Sequence, residues 1–300
     1  MNYKFQNPIM NGADPFVLAY GGKYYMYCTR SDASTNNFFL TGGDKDGFCV
    51  YESSDLQTWE CKGYCLTNDD VMGEKWFWAP EVIHYRGKFY MVYTSEEHGA
   101  VAVSDSPLGP FIQAEKKWLS EDKMIDGHFF LDDDGQMYLY YVRLIEGNRI
   151  YVAKMSEDLS SIDEANERLL IKAEEPWETK DCLVTEGPFV LKHNGLYYLS
   201  YSANHTRCPD YAVGYAVSEN PMGPFKKYVG NPILHRNEKV VGVGHHSFAP
   251  LPEGKFLCAY HCHASMEQFQ PRKFCLDLAE FVPAPDGGVD ILTIHGPTKV

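Results

Sequence analysis

The sequence lacks a run of apolar residues long enough to span a membrane as a helix, since no stretch reaches about 18 apolar residues. Its first residues, MNYKF, also lack the apolar segment typical of a secretory leader. These absences predict a protein that neither spans nor binds membranes. Together with an odd number of cysteines they favour a cytoplasmic location, with the periplasm or secretion as the alternative if a leader has been removed.

Basic residues are scarce relative to acidic ones, with 27 Lys and Arg against 41 Asp and Glu and a net charge of −14. Such a surface repels polyanions, which excludes nucleic acids and anionic membranes as expected partners. The chain also has no glycine-rich phosphate loop and no Ser, His and Asp order typical of a serine hydrolase. We therefore predict no nucleotide chemistry and no requirement for an organic cofactor.

Zinc-finger spacing is missing as well, although the chain has nine cysteines. Cys61 and Cys65 lie four apart, but no second Cys or His pair follows at a suitable distance. We predict that the cysteines are buried, reduced thiols. His261 and His263 alternate with Cys262, which places both imidazoles on one face of a strand. They could bind a metal ion or, as we favour, form a hydrogen-bonded pair that lines a channel.

Helical patterns are rare, and only residues 157–170 suggest one short helix or turn. Instead, one motif recurs five times: a polar residue and an apolar pair, then a turn ending in glycine and an aromatic-rich strand. The copies begin at residues 13–17 (ADPFV), 78–82 (WAPEV), 126–130 (DGHFF), 186–190 (EGPFV) and 245–248 (HHSF). Their turn glycines are 65, 48, 60 and 59 residues apart, at Gly22, Gly87, Gly135, Gly195 and Gly254.

This period is that of one four-stranded propeller blade with variable loops. The segments after the glycines are rich in aromatic and β-branched residues, as strands are. The sequence therefore predicts an all-β chain that forms a single five-bladed β-propeller over residues 1–300. A second motif, expected to form the outer strand of a blade, has only four clear copies. We therefore expect another segment to complete the fifth blade, such as the strand-like residues 274–278.

The first position of the recurring motif is polar in most copies and differs between them, whereas the apolar positions are repeated. Equivalent positions lie on one ring around the axis of a propeller, so we expect Asp14, Asp126, Glu186, His245 and His246 to meet at the mouth of the central channel. Polar groups that converge on an apolar scaffold are typical of a site. Two carboxyl groups with different pKa values can cleave an acetal, one protonating the leaving oxygen and the other activating water or attacking the anomeric carbon.

Six motifs follow one another along the chain: residues 7–9 (NPI), 12–17 (GADPFV), 78–82 (WAPEV), 125–130 (IDGHFF), 185–189 (TEGPF) and 244–248 (GHHSF). Together they resemble glycoside hydrolase family 43 over nearly the whole chain. The resemblance implies a five-bladed propeller that hydrolyses α-L-arabinofuranosides or β-D-xylosides with inversion of configuration. By the matching motifs, it implies that Asp14 is the general base, that Glu186 is the general acid, and that Asp126 raises the pKa of the acid and orients it.

The resemblance also implies that Arg272 contacts sugar hydroxyls or a catalytic carboxylate. It places a histidine from residues 242–245 (GVGH) near the channel centre, where a structural Ca²⁺ ion with water ligands could bind. His245 is the first choice for that metal ligand and His246 the second, with His246 also a candidate substrate contact. Calcium prefers oxygen ligands, so a protein shell of histidine alone would be weak.

Aromatic residues precede the second repeat, and we expect Trp78 and Phe77 to stack on the apolar face of a sugar at the pocket rim, with Trp76 beside them. At least one of the three should pack into the core instead. The loop at residues 34–43 (STNNFFLTGG) departs from the family pattern and is long enough to shape the pocket.

The leading interpretation is an exo-acting glycosidase that removes terminal arabinofuranosyl or xylosyl residues from oligosaccharide fragments of plant polysaccharides. One alternative is an endo-acting arabinanase or xylanase, which would need an open groove. Another is a catalytically silent carbohydrate-binding propeller, because a fold does not guarantee chemistry. A retaining furanosidase of a related five-bladed family is a third, with its carboxyl groups closer together. The sequence leaves the oligomeric state open.

Overall fold

The computed structural model describes residues 5–31 and 46–298. Its described part consists mainly of strands, with two short 3-10 helices at Glu164–Asn166 and Pro252–Gly254. The first of these lies within the segment predicted to hold a short helix or turn. The strands, in chain order, are β1 (Met10–Asn11), β2 (Ala13–Tyr20), β3 (Lys23–Thr29), β4 (Gly47–Ser53), β5 (Glu60–Thr67), β6 (Trp78–Tyr85), β7 (Lys88–Ser95), β8 (His98–Ser104), β9 (Met124–Leu131), β10 (Met137–Leu144), β11 (Asn148–Lys154), β12 (Arg168–Ile171), β13 (Thr185–His193), β14 (Leu196–Ala203), β15 (Ala212–Ser218), β16 (Lys226–Lys227), β17 (Gly244–Pro250), β18 (Phe256–Cys262), β19 (Lys273–Val282) and β20 (Ile291–Ile294).

These strands form five antiparallel sheets, which are the five blades of a β-propeller. Blades 1, 3 and 4 have four strands each, in the orders β2-β3-β4-β5, β9-β10-β11-β12 and β13-β14-β15-β16. Blade 2 has three, in the order β6-β7-β8. Blade 5 combines β17, β18 and β19 with β1 and β20, which both pair with β19. The prediction of an all-β, five-bladed propeller is confirmed.

The fifth blade is completed as the sequence suggested, by the segment that includes residues 274–278. This segment belongs to β19, which pairs with β18 over its whole inner part. On its other side β19 pairs with β1, with Met10 opposite Phe274 and Asn11 opposite Lys273. The ring therefore closes through pairing of β1, the first strand of the chain, with β19 near its end.

The turn glycines that revealed the repeat connect the first two strands of every blade. Their φ angles are +77° at Gly22, +80° at Gly87, +84° at Gly135, +79° at Gly195 and +71° at Gly254. A Cβ atom at any of the five would meet no heavy atom within 4 Å. Space is therefore not the constraint, and glycine is favoured because L residues rarely adopt this backbone conformation.

Aromatic side chains fill the space between neighbouring blades. Between blades 1 and 2 the rings of Tyr27, Phe48, Phe77, Tyr93 and Phe111 form one buried cluster. Phe77 is stacked on Tyr93, with ring centroids 5.7 Å apart and an interplanar angle of 18°. Such packing of large rings supplies most of the apolar area that a propeller buries between its sheets.

All nine cysteines are free, but the prediction that they are buried holds only in part. Five are buried, namely Cys28, Cys65, Cys258, Cys262 and Cys275. Cys61 is exposed and three others are partly exposed, because outer strands and connecting loops keep one face in solvent. Among the described residues, no helix is long and apolar enough to cross a membrane.

Candidate active site

The innermost strand of each blade contains a bulge at the same place. Pairing with the second strand is interrupted for two residues, between Ala13 and Phe16 in blade 1 and at the corresponding positions of the other four blades. The first residue of each bulge has a positive φ: +49° at Asp14, +45° at Ala79, +56° at Asp126, +55° at Gly187 and +47° at His245. These five residues form the ring of equivalent positions.

The ring differs from the predicted one in blade 4. Glu186 still pairs with Ser202, so it precedes the bulge, and Gly187 holds the position equivalent to Asp14 and Asp126. A Cβ atom on Gly187 would lie 3.3 Å from the ring of His245. Glu186 therefore reaches the pocket from the strand position beside the ring, and the predicted equivalence of the three acidic residues is wrong by one residue.

Each bulge is held by its backbone N–H, which donates a hydrogen bond to a side chain of the preceding blade. The bonds are Asp14 to His261 Nδ1 at 3.2 Å, Ala79 to Thr29 Oγ1 at 2.8 Å, Asp126 to Thr94 Oγ1 at 3.1 Å, Gly187 to Asp126 Oδ2 at 3.1 Å and His245 to Ser202 Oγ at 2.8 Å. A positive φ costs an L residue about 1–3 kcal/mol and persists where surrounding contacts enforce it. These bonds provide that enforcement.

One acceptor in this series stands out. The partners Thr29, Thr94, Ser202 and His261 all come from the second strand of a blade, but in blade 3 the corresponding residue is Val142. Valine cannot accept a hydrogen bond, so the Gly187 N–H donates to the Asp126 carboxyl group instead. Asp126 thus holds the backbone next to Glu186 in place.

A pocket of about 380 Å³ opens at the centre of this ring. Six residues predicted for the site line it: Asp14, Trp78, Asp126, Glu186, His245 and Arg272. They come from all five blades, which explains how positions far apart in sequence share one cavity. Of the five residues predicted to meet at the channel mouth, four line this pocket, namely Asp14, Asp126, Glu186 and His245, and His246 does not.

Asp14 lies against one buried cation, the guanidinium of Arg272, and two imidazole rings. Arg272 Nη1 donates a hydrogen bond of 2.7 Å to its Oδ1, which also lies 3.2 Å from His261 Nδ1 and 3.4 Å from His245 Nδ1. Burial alone would raise the pKa of Asp14, but the charge of Arg272, aided by His245 and His261, holds that pKa well below its ordinary value. Asp14 is therefore a carboxylate at neutral pH.

Glu186 accepts hydrogen bonds from neutral groups, and within residues 5–31 and 46–298 no ion pair is found for it. Tyr211 OH donates to Oε1 at 3.0 Å and Asn148 Nδ2 donates to Oε2 at 2.9 Å. Burial raises the pKa of Glu186 to about 7, with the Asp14 charge adding to it, while the two donors oppose the shift. A substantial fraction of Glu186 is consequently protonated at neutral pH.

Asp126 completes the acidic group. Burial, followed by the charges of Glu186 and Asp14, raises its pKa well above the ordinary value, and the Gly187 N–H opposes this only in part. Two buried carboxyl groups in one cavity do not ionise independently. The pocket therefore contains one group that is readily charged and two that resist losing a proton, which is the combination that acid–base chemistry requires.

The comparisons with known proteins agree with this chemistry. The family model for glycosyl hydrolases family 43 matches residues 5–286. The chain belongs to this family. Its members hydrolyse glycosidic bonds, so this family 43 chain is a glycosidase with a carbohydrate substrate.

Three relatives show how this family 43 chain compares with proteins of known name. It is 29% identical to a beta-xylosidase of Xylanibacter ruminicola, covering 87% of this chain and 90% of that protein. It is 29% identical to xylosidase/arabinosidase 43A of Humicola insolens, covering 84% and 88%. The solved endo-1,4-beta-xylanase of Bacteroides thetaiotaomicron is 40% identical over 97% of this chain and 96% of that one, with a TM-score of 0.86.

The predicted calcium site finds little support in the protein atoms around His245. Its Nδ1 faces Asp14 at 3.4 Å and Asp126 at 3.9 Å. Within residues 5–31 and 46–298, no group of three or more His, Cys, Asp or Glu side chains is arranged to hold a metal ion. Calcium takes six to eight oxygen ligands. The residues present do not form such a shell, and no step below uses a metal ion.

Two predicted substrate contacts are wrong. Phe77 is only 4% exposed and belongs to the core cluster between blades 1 and 2. His246 is also 4% exposed, and its Nε2 contacts Ser200 Oγ at 2.7 Å inside the propeller. Both residues follow or precede a pocket residue, and neighbouring residues of an extended strand point to opposite sides.

The other predicted contacts have a clear place. Trp78 lines the pocket and is stacked on Trp76, with ring centroids 6.3 Å apart and an interplanar angle of 7°. Arg272 contacts the Asp14 carboxylate directly, one of its two predicted roles. The loop at residues 34–43 lies outside the described residues.

The pair of histidines around Cys262 is buried, and both rings meet Thr206. His261 Nε2 lies 3.2 Å from Thr206 Oγ1, and His263 Nε2 lies 2.8 Å from Thr206 O. They are thus linked through Thr206 rather than to each other. His261 contributes to the site through Asp14, whereas His263 supports the loop that carries Thr206.

Asn148 and Tyr211 are the site residues that sequence reasoning missed, together with His205, Thr206 and Arg207 at the pocket wall. A signal for Tyr211 did exist in the motif GVGH. A Cβ atom on Gly244 would lie 2.4 Å from Tyr211 Cε1, so glycine there is the space that the tyrosine ring needs. The motif had been attributed only to His245.

Proposed function

We propose that this chain is an inverting exo-glycosidase that removes terminal β-D-xylosyl or α-L-arabinofuranosyl residues from oligosaccharide fragments of plant polysaccharides. The observation that carries the proposal is the different surroundings of two carboxyl groups in one pocket. Asp14 accepts a hydrogen bond from the Arg272 guanidinium, whereas Glu186 accepts hydrogen bonds from neutral groups, and the pKa of each is shifted in the opposite direction. The names of the two relatives at 29% identity support the choice of sugars.

In the proposed reaction, Asp14 is the general base and Glu186 the general acid. A water molecule attacks the anomeric carbon and gives a proton to the Asp14 carboxylate. The bond between that carbon and the leaving oxygen breaks, its electron pair stays on the oxygen, and the oxygen takes the proton of Glu186. Both residues then exchange protons with solvent, so one water molecule is consumed for each bond cleaved.

The remaining residues position these two groups or the sugar. Arg272 keeps Asp14 ionised. Asp126 orients the backbone beside Glu186 through the Gly187 N–H and lines the cavity. We propose that Trp78 stacks on the apolar face of the bound sugar, since aromatic faces bind sugar C–H groups.

The test is hydrolysis of 4-nitrophenyl β-D-xylopyranoside and α-L-arabinofuranoside, followed by proton NMR of the first sugar released. We expect release from at least one substrate, with a free sugar of inverted anomeric configuration. Release of the retained anomer would contradict the direct attack of water and would favour the retaining alternative.

A second candidate is an endo-acting xylanase, favoured by the name of the solved relative at 40% identity. Such an enzyme would cleave soluble xylan to oligosaccharides while releasing little xylose and leaving aryl xylosides intact. Product length from xylan and from xylotetraose separates the two candidates. If the protein cleaves neither arabinan nor xylan, the alternative of a catalytically silent carbohydrate-binding propeller is favoured.

A further inference from the structure

The general-acid candidate is held at both of its carboxyl oxygens. Tyr211 OH lies 3.0 Å from Oε1, and Asn148 Nδ2, assigned as the donor, lies 2.9 Å from Oε2. The terminal torsion of a glutamate side chain is broad and roughly two-fold, so one hydrogen bond would leave the carboxyl group free to turn. Two bonds, one on each oxygen, fix its plane.

Tyr211 has little freedom to move. The residue is fully buried, and its ring is stacked on His261 with centroids 5.7 Å apart and an interplanar angle of 13°. Its backbone N–H donates to Cys208 O at 3.0 Å. Gly244 provides the space for the ring, since a Cβ atom there would lie 2.4 Å away. The hydroxyl group therefore keeps one position relative to Glu186.

Asn148 is tied to the segment that leads into Glu186. Its backbone N–H donates to Leu183 O at 3.0 Å, and its carbonyl accepts from Thr185 Oγ1 at 3.1 Å. Gly147 has a φ of +97°, and a Cβ atom there would lie 2.0 Å from Leu183 O, so this contact requires glycine. The amide consequently moves with the backbone that carries the acid.

We propose that Asn148 and Tyr211 are positioning residues that together hold the two oxygens of Glu186 and determine which oxygen carries the proton. The proposal rests on the role of Glu186 as general acid. The amide nitrogen of Asn148 can only donate, so Oε2 stays an acceptor. A hydroxyl group both donates and accepts, so Tyr211 tolerates a proton on Oε1.

The proton for the leaving group therefore sits on Oε1, on the side of Tyr211. When it moves to the leaving oxygen, the electron pair of the O–H bond stays on Oε1. That oxygen then accepts the hydrogen bond of the Tyr211 hydroxyl, so neither oxygen of the new carboxylate lacks a donor. The site thus stabilises the Glu186 carboxylate once the proton has been transferred, but it does not force Glu186 to be ionised before the transfer.

The first test follows the carboxyl carbon of Glu186 by 13C NMR in protein labelled at glutamate, with Glu186→Gln to assign the resonance. Donors favour the carboxylate, so their removal should raise the titration midpoint. We expect Asn148→Ala and Tyr211→Phe each to move the midpoint upward by roughly half a pH unit to one unit. Unmoved midpoints in both variants would overturn the proposal.

Tyr197→Phe is the matched control. Tyr197 is a buried tyrosine of blade 4 whose hydroxyl donates to a carboxylate, with its OH 2.6 Å from Asp132 Oδ2 of blade 3, and it lies outside the pocket. The Glu186 midpoint of this variant should match the wild type. An equal shift in this control would show that any lost hydroxyl in the blade has the same effect, which would contradict a specific role.

A second test compares aryl glycosides with leaving groups that need a proton and groups that do not. A positioning role predicts a larger loss of kcat/KM for Asn148→Ala and Tyr211→Phe on the phenyl glycoside than on the 2,4-dinitrophenyl glycoside. Equal losses on both would indicate general damage and would count against the proposal. If the wild type hydrolyses neither, the proposed function fails, while the NMR titration still decides this inference.

Discussion

The pocket has two sides that each enclose a carboxyl group but differ in charge. On the Asp14 side, blade 5 contributes Arg272, His245 and His261 around the Asp14 carboxylate of blade 1. On the Glu186 side, blades 3 and 4 surround the carboxyl group with neutral donors, Asn148 and Tyr211. Burial raises the pKa on both sides, yet only Asp14 ends below its ordinary value.

The difference teaches that burial alone does not assign acid and base. One buried guanidinium separates the two ionisation states, because a close opposite charge outweighs desolvation whereas neutral hydrogen bonds do not. The fold supplies nearly equivalent bulge positions around the axis. The identity of the neighbours then determines what each carboxyl group can do.

The largest expected effect comes from removing either group. Asp14→Ala and Glu186→Ala should each lower kcat by about 10²- to 10⁴-fold on a phenyl glycoside. Only the Glu186→Ala defect should shrink on a 2,4-dinitrophenyl glycoside, whose leaving group needs no proton. Steady-state kinetics on the two substrates measures the contrast, with circular dichroism as a check that both variants fold. Equal recovery in both variants would contradict the separate roles.

The next prediction concerns the Asp14 side of the pocket, where Arg272 supplies the positive charge. Arg272→Met should raise the pKa of Asp14, so the acidic limb of the kcat/KM profile should move upward by roughly 1–3 pH units. Arg272→Lys keeps a positive charge and should move it less, although lysine cannot reproduce the planar guanidinium. A pH profile of kcat/KM measures the shift.

Arg207→Met provides the matched control for this change. Arg207 and Arg272 lie over the same ring of Phe269, at 5.8 Å and 5.6 Å. Arg272 donates a hydrogen bond to the Asp14 carboxylate and its charge lowers the pKa of that group, whereas neither effect is described for Arg207. The acidic limb should stay in place in Arg207→Met, and a comparable shift there would mean that the pocket responds to net charge rather than to the contact.

A third prediction concerns how Asp126 acts on the neutral side. Burial and the neighbouring carboxyl groups raise the pKa of Asp126 and so favour its neutral form, and a neutral asparagine in its place should therefore leave the alkaline limb of kcat/KM where it is. Asparagine also keeps an oxygen for the Gly187 N–H, whereas Asp126→Ala does not, so alanine should cost more activity. A limb that moves to lower pH in Asp126→Asn would instead support the charge-based role implied by the family resemblance.

Sequence reasoning reached the scaffold because the scaffold repeats. Five turn glycines share one backbone requirement, so their spacing revealed the blades. It could not show that Glu186 precedes the bulge while Asp14 and Asp126 begin it, since a shift of one residue leaves the motif unchanged. The same limit explains Phe77 and His246, whose neighbours Trp78 and His245 face the pocket.

The residues that tune the site were hidden for a different reason. Asn148 begins β11, the third strand of blade 3, and Tyr211 lies in the connection between β14 and β15. Neither therefore belongs to the recurring motif. Their role depends on three-dimensional contacts with Glu186 from 38 and 25 residues away. The residues around Asn148 and Tyr211 do not mark these contacts, and the one trace of them in the sequence is Gly244, which leaves space for the Tyr211 ring.

The smallest expected effect is on the free energy of unfolding, whose dependence on pH should differ between the Glu186 side and the Asp14 side of the pocket. A folded pKa of about 7 for Glu186 means that the native state binds more protons than the unfolded state between the two pKa values. Stability is therefore lost as the pH rises through this window, by on the order of 1–3 kcal/mol. Glu186→Gln removes this loss, so its free energy of unfolding relative to wild type should be more favourable at about pH 8 than at about pH 5.

Asp14 has the opposite sign and a different window. Its lowered pKa stabilises the fold above the unfolded pKa, and this contribution fades only as the pH falls further. The difference between Asp14→Asn and wild type should thus be nearly constant from about pH 5 to about pH 8. Urea unfolding of the three proteins at both pH values measures this. A Glu186→Gln difference that also stays constant would show that the carboxyl group ionises as easily in the pocket as in the unfolded chain, and the two sides would no longer be distinct.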